Sequence, residues 1–291
     1  PRLIVEETTI SDLYCAPSGA IYTESGLQSI KKAGFKDPLA KAYAPFVGIA
    51  EAIPLDSLPG AEFVIYLDFD GEEVTHPDWN GGALIDAQPH ARVNDDSFVT
   101  SVWRRVSEDF APFDITVTTD VAIYDAADSD KRLHVVITPT DDVRPGSGGV
   151  AFKGSFRGIS PVVWAFNASE YSCANSISHE AGHAFGLRHD GQPEVEYYAG
   201  HSVGYAPGWG PIMGSAVSDG FYDEVSQWSK GEYDLANNPE PDLLIIGGPL
   251  NGFGFKDDDY SDSISGDAVG TLSPIGADLI GGSGLISRSN D

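Results

Sequence analysis

The residues best suited to chemistry lie in the stretch 179–190, which reads HEAGHAFGLRHD. On a helix, His179 and His183 are about one turn apart on the same face, so both imidazoles can bind one metal ion. Glu180 follows the first histidine and would stand beside a metal-bound water, where a general base is needed. The pattern therefore predicts a metal site with a carboxylate next to it.

A third ligand is expected from His189. Gly186 can take the left-handed conformation that ends a helix, and the chain can then return His189 to the same ion. Three neutral imidazoles leave one position open for water, whose pKa zinc lowers to about 7. Nitrogen ligands favour zinc, although cobalt or copper suits the same set. We expect hydrolysis by a zinc-activated water, with Glu180 as general base passing the proton to the leaving amine.

The extended motif resembles the signature of the metzincin metallopeptidases, HExxHxxGxxH followed by a methionine-containing turn. Met213 is the only methionine of the chain and resembles the methionine of that turn, which packs beneath the zinc site. Asp190 after the third histidine is similar to the reprolysin-like variant, in which this aspartate orients the turn by hydrogen bonds. The resemblance covers about residues 61–240 and is closest to secreted bacterial, reprolysin-like members.

One position departs from the astacin-like and serralysin-like members, which carry a tyrosine as an extra zinc ligand two residues after the turn methionine. Ser215 stands there, so a tyrosyl ligand is not expected unless Tyr222 approaches from the same loop. The resemblance also implies that a peptide substrate adds to an exposed sheet edge through main-chain hydrogen bonds. The residues of the expected edge strand are Gly149, Val150, Ala151 and Phe152. A specificity pocket is expected between Met213 and Tyr222.

Hydrophobic periodicity predicts the elements that position these residues. A helix capped by Asn94 or Asp95 is expected to run to about Phe110, with an apolar stripe on one face. An active-site helix is expected over about 174–185, and a further helical stretch over about 230–237. The predicted strands lie at 63–67, 113–118, 133–138, 149–152 and 161–166. The predicted fold is a metzincin-like α+β domain: a five-stranded mixed sheet, a backing helix, the active-site helix and a loop-rich C-terminal subdomain.

Composition divides the chain into three parts. Residues 1–60 are punctuated by Pro and Gly and are interpreted as an N-terminal extension or prosegment. Residues 61–256 form the predicted catalytic domain. Residues 257–291 are rich in Gly, Ser and Asp and are interpreted as a linker and the start of a truncated C-terminal β-module, with strands near 268–272 and 277–280.

The chain has two cysteines, Cys15 and Cys173. In an extracellular protein this even count favours a disulfide, which would tie the N-terminal extension to the catalytic domain. A second interpretation makes Cys15 a switch thiolate that binds the zinc in a latent zymogen. Two unrelated free thiols are the third interpretation.

Acidic runs are candidate calcium sites, because hard cations prefer several carboxylate oxygens. The candidate ligands are Asp68, Asp70, Asp257, Asp258 and Asp259. Exposed acidic turns without any ion explain the same runs equally well, since neither run matches a complete EF-hand loop.

The chain has 291 residues and a formal net charge of −27, which repels nucleic acid. It contains no run of about 18 apolar residues, so no membrane span is predicted. We expect a secreted, monomeric zinc endopeptidase that acts on proteins or peptides. Two alternatives are a catalytically silent binding or adhesion protein that keeps the metal, which would not need Glu180, and a zinc amidase that acts on cell-wall peptides.

Overall fold

The computed structural model describes residues 52–158, 162–201, 208–215 and 225–256, together with the backbone of four strands at 13–15, 21–24, 273–276 and 279–281. Several predictions fall outside these residues: the candidate calcium ligands Asp257, Asp258 and Asp259, the alternative ligand Tyr222, and the predicted strand at 268–272.

The fold is a mixed α/β arrangement of short strands and few helices. The strands in chain order are β1 (Leu13–Cys15), β2 (Ile21–Glu24), β3 (Val64–Asp68), β4 (Glu72–Val74), β5 (Ile85–Ala87), β6 (Thr116–Thr118), β7 (Arg132–Ile137), β8 (Gly149–Phe152), β9 (Val162–Ala165), β10 (Trp209–Pro211), β11 (Val225–Gln227), β12 (Ser273–Gly276) and β13 (Leu279–Gly281). The helices are α1 (Asp96–Asp109), α2 (Val121–Ala126), α3 (Glu170–Ala184) and α4 (Asp242–Ile246), with a short 3-10 helix at Asn80–Gly82.

The main sheet has the strand order β1-β2-β8-β9-β7-β3-β6. The five strands predicted from periodicity form its mixed part: β3 pairs in parallel with β6 and β7, and β7 pairs in parallel with β9. Strand β8 lies antiparallel to β9, and the β1–β2 hairpin continues the sheet beyond β8. The five-stranded part formed by β8, β9, β7, β3 and β6 is mostly parallel. Together with a few packed helices, it is compatible with the predicted α+β class.

Successive side chains on the buried strands point to opposite faces of the sheet and form two cores. Helices α1 and α3 pack on one face, against residues such as Leu67, Val135 and Ile137. The other face carries Val136 and Trp164, and the segment that holds β4 and β5 covers it. Helix α3 is therefore held on a sheet that is apolar on both faces.

Helix α1 confirms the prediction made from its stripe. The Asp95 side chain accepts a hydrogen bond from the backbone N–H of Phe98 at 3.2 Å and caps the helix. Phe98, Val102 and Val106 are completely buried in the core. The helix ends at Asp109, where Phe110 takes the C-cap position.

Helix α3 begins at Glu170, earlier than the predicted residue 174. All of its residues from Ser172 to Ala184 are buried, so the helix has no polar face to contrast with an apolar one. A helix buried on every side has no clear periodicity, which hid its first turn from the sequence pattern. Among the helices of the described residues, none combines the length and apolar character needed to cross a membrane.

The helix predicted at 230–237 is wrong, because those residues form turns. Side-chain groups take the backbone N–H donors there: Ser229 Oγ accepts from Gly231 N at 2.9 Å, and Glu232 Oε2 accepts from Lys230 N at 2.7 Å. Such local hydrogen bonds compete with helix formation. The nearest helix is α4, which begins after the turns. The short helix α2, elsewhere in the chain, was not predicted either.

Part of the predicted N-terminal extension packs on the edge of the sheet. Ser57 N donates to Val117 O at 3.1 Å, and Thr119 N donates to Leu55 O at 3.0 Å. Ile53 and Leu55 also pack against the core. At the other end of the chain, β12 and β13 form an antiparallel pair, and β13 overlaps the strand predicted at 277–280.

Candidate metal centre

The structure brings the three predicted ligands together. His179 and His183 lie one turn apart on α3, and the ligand atoms of these two residues and His189 are all within 4.8 Å of one another. The Nε2 atoms of His183 and His189 are 2.9 Å apart. His179 and His183 are fully buried, and His189 is partly exposed, so the group is open to solvent only on the side of His189.

Backbone carbonyls fix the tautomers of the two helical histidines. His179 Nδ1 donates to Ile212 O at 2.7 Å, and His183 Nδ1 donates to Leu187 O at 2.9 Å. A carbonyl oxygen can only accept, so each Nδ1 carries the proton and each neutral ring presents its Nε2 lone pair to the centre. Burial lowers the pKa of His179 to about 4 and that of His183 well below its usual value. Both rings are therefore neutral near pH 7.

The third histidine is oriented by a carboxylate that the sequence analysis missed. His189 Nδ1 donates to Glu196 Oε1 at 2.6 Å, and the Tyr197 ring lies 4.3 Å from the imidazole. A carboxylate on the outer nitrogen of a histidine is the usual partner of a metal ligand, because it holds the ring and increases its basicity. In the sequence, Glu196 is marked only as an acidic residue close to His189. Glu194 is equally close and acidic, so the sequence could not distinguish the two.

The donor set fits a metal ion. His179 Nε2 is buried and has no hydrogen-bond partner, and the two other Nε2 atoms approach each other without a proton to share. Unprotonated nitrogens that converge in a buried site repel one another unless a cation lies between them. Three imidazoles with an open side are a common donor set of catalytic zinc sites, although the geometry alone does not distinguish zinc from other divalent metals.

Gly186 produces the turn that brings in the third ligand. Its φ angle is +110°, in the region that favours glycine. Gly186 N donates to His183 O at 2.9 Å, and Leu187 N donates to Gly182 O at 3.0 Å, which is the double hydrogen bond of a Schellman motif. The predicted role of Gly186 as the end of the active-site helix agrees with this geometry.

Met213 lies directly beneath α3, the helix that carries His179 and His183. It is fully buried, and a Cβ built on Gly182 would come within 2.6 Å of its Sδ atom. Asp190 N donates to Met213 O at 2.8 Å, so the contact between the predicted aspartate and this turn is a backbone hydrogen bond. Burial and nearby carboxylates raise the pKa of the Asp190 carboxyl to about 7. Ser215 N, close to Met213, donates to Tyr198 O at 2.9 Å and closes the turn.

Glu180 is fully buried on α3 and lies against strand β8. A Cβ built on Gly149 would stand 2.7 Å from Glu180 Cγ and 2.9 Å from Glu180 Oε1, so only a glycine fits beside this carboxylate. The backbone of β8 therefore passes next to the predicted general base. The sequence analysis placed Gly149 in the substrate strand but did not foresee this contact.

The outer edge of β8 is paired with the N-terminal part of the chain. Strand β2 runs antiparallel to β8, with Tyr22 opposite Phe152, Thr23 opposite Ala151 and Glu24 opposite Val150. The predicted strand at 149–152 is confirmed with the same bounds, but the expectation of an exposed edge is wrong in this structure. The reason is that main-chain donors and acceptors on an open edge attract any extended segment that can reach them.

The cysteine and calcium predictions have different outcomes. Cys173 is a buried free thiol whose pKa is raised by burial, so the predicted disulfide is not formed in this structure. The side chain of Cys15 lies outside the described residues, and its role as a zinc ligand stays a prediction. Asp68 and Asp70 lie close together at the end of β3, where Asp68 Oδ1 accepts from Asp70 N at 3.1 Å. Calcium binding there also stays a prediction.

A cavity of about 430 Å³ lies along the N-terminal half of α3. Asn175, one turn before His179, lines the cavity. Arg105 and Asp109 of α1 and Gln227 of β11 also line it, as does Trp228, which follows β11. The specificity pocket was predicted between Met213 and Tyr222, and residues 216–222 of that segment lie outside the described residues.

Comparisons with known protein families, with curated proteins and with solved structures found no match for this chain.

Proposed function

We propose that this chain is a secreted, zinc-dependent endopeptidase that cleaves extended segments of proteins. The observation that carries the proposal is the set of three Nε2 atoms that face one another in a buried site, with their outer nitrogens held by acceptors. The buried carboxylate of Glu180 and the strand backbone beside it add a proton acceptor and a place for a peptide.

His179, His183 and His189 would hold the metal. A zinc ion bound there would polarise the scissile carbonyl and lower the pKa of a water molecule to about 7. Glu180 follows the first of these histidines on α3, so its buried carboxylate would accept the proton of the attacking water and return it to the amine nitrogen that leaves.

The substrate would pair with β8 as an added strand. Main-chain hydrogen bonds to an edge strand recognise any extended peptide and place its carbonyl groups at fixed positions. Because Gly149 in β8 contacts Glu180, a peptide on this edge runs past the general base. Strand β2 takes that place in the full chain, so a substrate has to displace it.

The proposal is tested by incubating the full chain with a mixed peptide library, with and without a chelator, and reading the cleavage products by mass spectrometry. We expect internal cleavages that disappear with the chelator and return when zinc is added. Cleavage of added cell-wall material but not of the library would support an amidase instead, and no cleavage of either would contradict the proposal.

Glu180→Gln is the sharpest variant. It keeps the size of the side chain but cannot accept the proton, so cleavage should fall by at least about 100-fold, the usual contribution of a positioned base. Zinc content, measured by mass spectrometry of the metal, should stay at the wild-type level. The exposed Glu194→Gln is the matched control and should retain full activity. Wild-type activity of Glu180→Gln would contradict the assigned role.

A further inference from the structure

A second group of metal-ligating side chains lies on the face of the sheet opposite α1. Asp68 ends β3, His134 is in the adjacent strand β7, and Glu72 begins β4. His134 Nε2 lies 2.8 Å from Asp68 Oδ2, and one ligand atom from each of the three residues lies within 4.8 Å of the others. Three separate strands thus bring one nitrogen and two carboxylates to a single point.

The point where these side chains meet is enclosed. Asp68 is 2% exposed and His134 is 7% exposed. The rings of Tyr66 and Tyr124 each lie 5.2 Å from the imidazole and stack on each other at 5.1 Å. These two aromatic rings wall one side of the imidazole, whose Nε2 is directed at Asp68.

The charges of the group are not balanced by its own members. Asp70 lies between Asp68 and Glu72 in the chain and adds a third, half-buried carboxylate. Arg132 is engaged elsewhere: its guanidinium lies over the Tyr124 ring at 4.3 Å and 3.7 Å from Asp125. Ionised carboxylates in such a site need a cation that the group lacks.

We propose that Asp68, Glu72 and His134 form a second metal site, which takes Zn²⁺ or Mn²⁺ and ties β3, β4 and β7 together. A buried imidazole nitrogen among carboxylate oxygens suits these transition metals and not Ca²⁺, which takes oxygen ligands. A dication would offset the two ligating carboxylates and turn a repulsive group into a cross-link. The proposal concerns different residues from the histidine centre and does not depend on the proposed peptidase activity.

Metal stoichiometry tests the proposal. The full chain is saturated with Zn²⁺, freed of excess metal and analysed for bound zinc. We expect two equivalents in the wild type and one in Glu72→Gln, a substitution of equal size at a half-buried position. Glu73→Gln is the matched control, because the adjacent, exposed side chain makes the same change of charge, and it should keep two equivalents. His183→Ala should keep one equivalent of zinc. The double variant His183→Ala, Glu72→Gln should bind none.

The same variants separate this inference from the proposed function. If the wild type holds one equivalent that only His183→Ala removes, the second site is refuted while the peptidase proposal stands. If only Glu72→Gln removes it, the second site stands and the histidine centre fails. In the His183→Ala background, Zn²⁺ or Mn²⁺ should raise the thermal midpoint more than Ca²⁺ does, and Asp68→Asn should abolish the effect. An equal rise with Ca²⁺ would overturn the choice of metal.

Discussion

Single hydrogen bonds hold each imidazole of the histidine centre in one orientation. The outer nitrogens of His179 and His183 are bound to the backbone carbonyls of Ile212 and Leu187, so no side-chain substitution can remove those acceptors. The outer nitrogen of His189 is different, because its acceptor is a side chain. Of the three acceptors, only the one at His189 can therefore be removed by a side-chain substitution, which makes Glu196 the position at which to test the proposed metal site.

Glu196→Ala should weaken zinc binding by about 10- to 100-fold, the usual effect of losing the acceptor behind a metal-bound histidine. The variant leaves the His189 ring free to rotate and lowers its basicity. Competition with a chromogenic chelator measures the change. Glu194→Ala removes an exposed carboxylate from the same loop and serves as the control. Equal affinities of the two variants would mean that Glu196 does not orient the ligand.

The spacing of the histidines was sufficient to predict that the three imidazoles converge, because a helix and a glycine turn determine their positions locally. Glu196 and Gly149 could not be identified in the same way. Glu196 reaches His189 only because of the path of its loop, and Gly149 reaches Glu180 from a different strand. Contacts that depend on tertiary structure leave no periodic signal in a single sequence.

At the scale of elements, the end of α3 determines whether the third ligand arrives. Gly186→Ala meets no steric obstacle, since the nearest heavy atom to an added Cβ is Ile245 Cγ2 at 3.8 Å. Its effect comes from the φ angle, which costs an alanine about 1–2 kcal/mol of folding free energy. We also expect weaker zinc binding, because relief of the strain moves His189.

Gly146→Ala is the matched control for this turn, with a φ of +86° and no atom within 4 Å of the added Cβ. Both variants should lose a similar free energy of unfolding in urea, and only Gly186→Ala should lose zinc affinity. If both bind zinc as the wild type does, the turn does not position the ligand.

The pairing of β2 with β8 gives a second prediction at this scale. Thr23→Pro removes a backbone donor from β2 opposite Ala151 and should loosen the strand from the edge. Cleavage of extended peptides should then rise several-fold, because less of the edge is occupied. Tyr14→Pro in β1, which pairs with β2 but not with β8, should have a smaller effect. Peptidase assays at subsaturating substrate measure the activity of both variants. Unchanged activity in Thr23→Pro would argue against competition between β2 and the substrate at this edge.

Elements with strong local signals were predictable, and α1 and β8 have nearly the expected bounds. The fully buried α3 lacked a polar face, and the turns after Ser229 resembled a helix until their side-chain hydrogen bonds were known. The pairing of β2 with β8 joins residues far apart in the chain, which composition and periodicity do not report.

For the molecule as a whole, the excess of carboxylates makes stability depend on pH. Burial raises the pKa of Asp109 to about 7, that of Asp190 to about 7 and that of Asp242 to about 8, compared with an ordinary value of 3.8. A raised folded-state pKa means that the folded protein binds protons more tightly than the unfolded chain. The resulting stability is present at low pH and is lost as the pH rises through the folded-state pKa.

We expect the metal-free protein to lose at least about 1 kcal/mol of unfolding free energy between pH 6.5 and pH 8, where the buried histidines no longer contribute because they are largely neutral in the unfolded chain as well. Asp242 is completely buried, and its Oδ2 accepts from Ser229 N at 2.8 Å. Asp242→Asn keeps an acceptor but does not titrate, so its pH dependence should be flatter. Urea unfolding at several pH values measures the slopes. The exposed Asp234→Asn should follow the wild type, and a stability that increases toward pH 8 would contradict the argument.

The missing side chain at Gly149 makes two distant positions depend on each other. A larger residue at position 149 would push the Glu180 carboxylate out of its place. A shorter residue at position 180 would leave a cavity against the backbone of β8. The pair should therefore vary together or not at all when the sequence is randomised and selected for activity. An engineer who redesigns this strand for a new peptide has to leave residue 149 as it is.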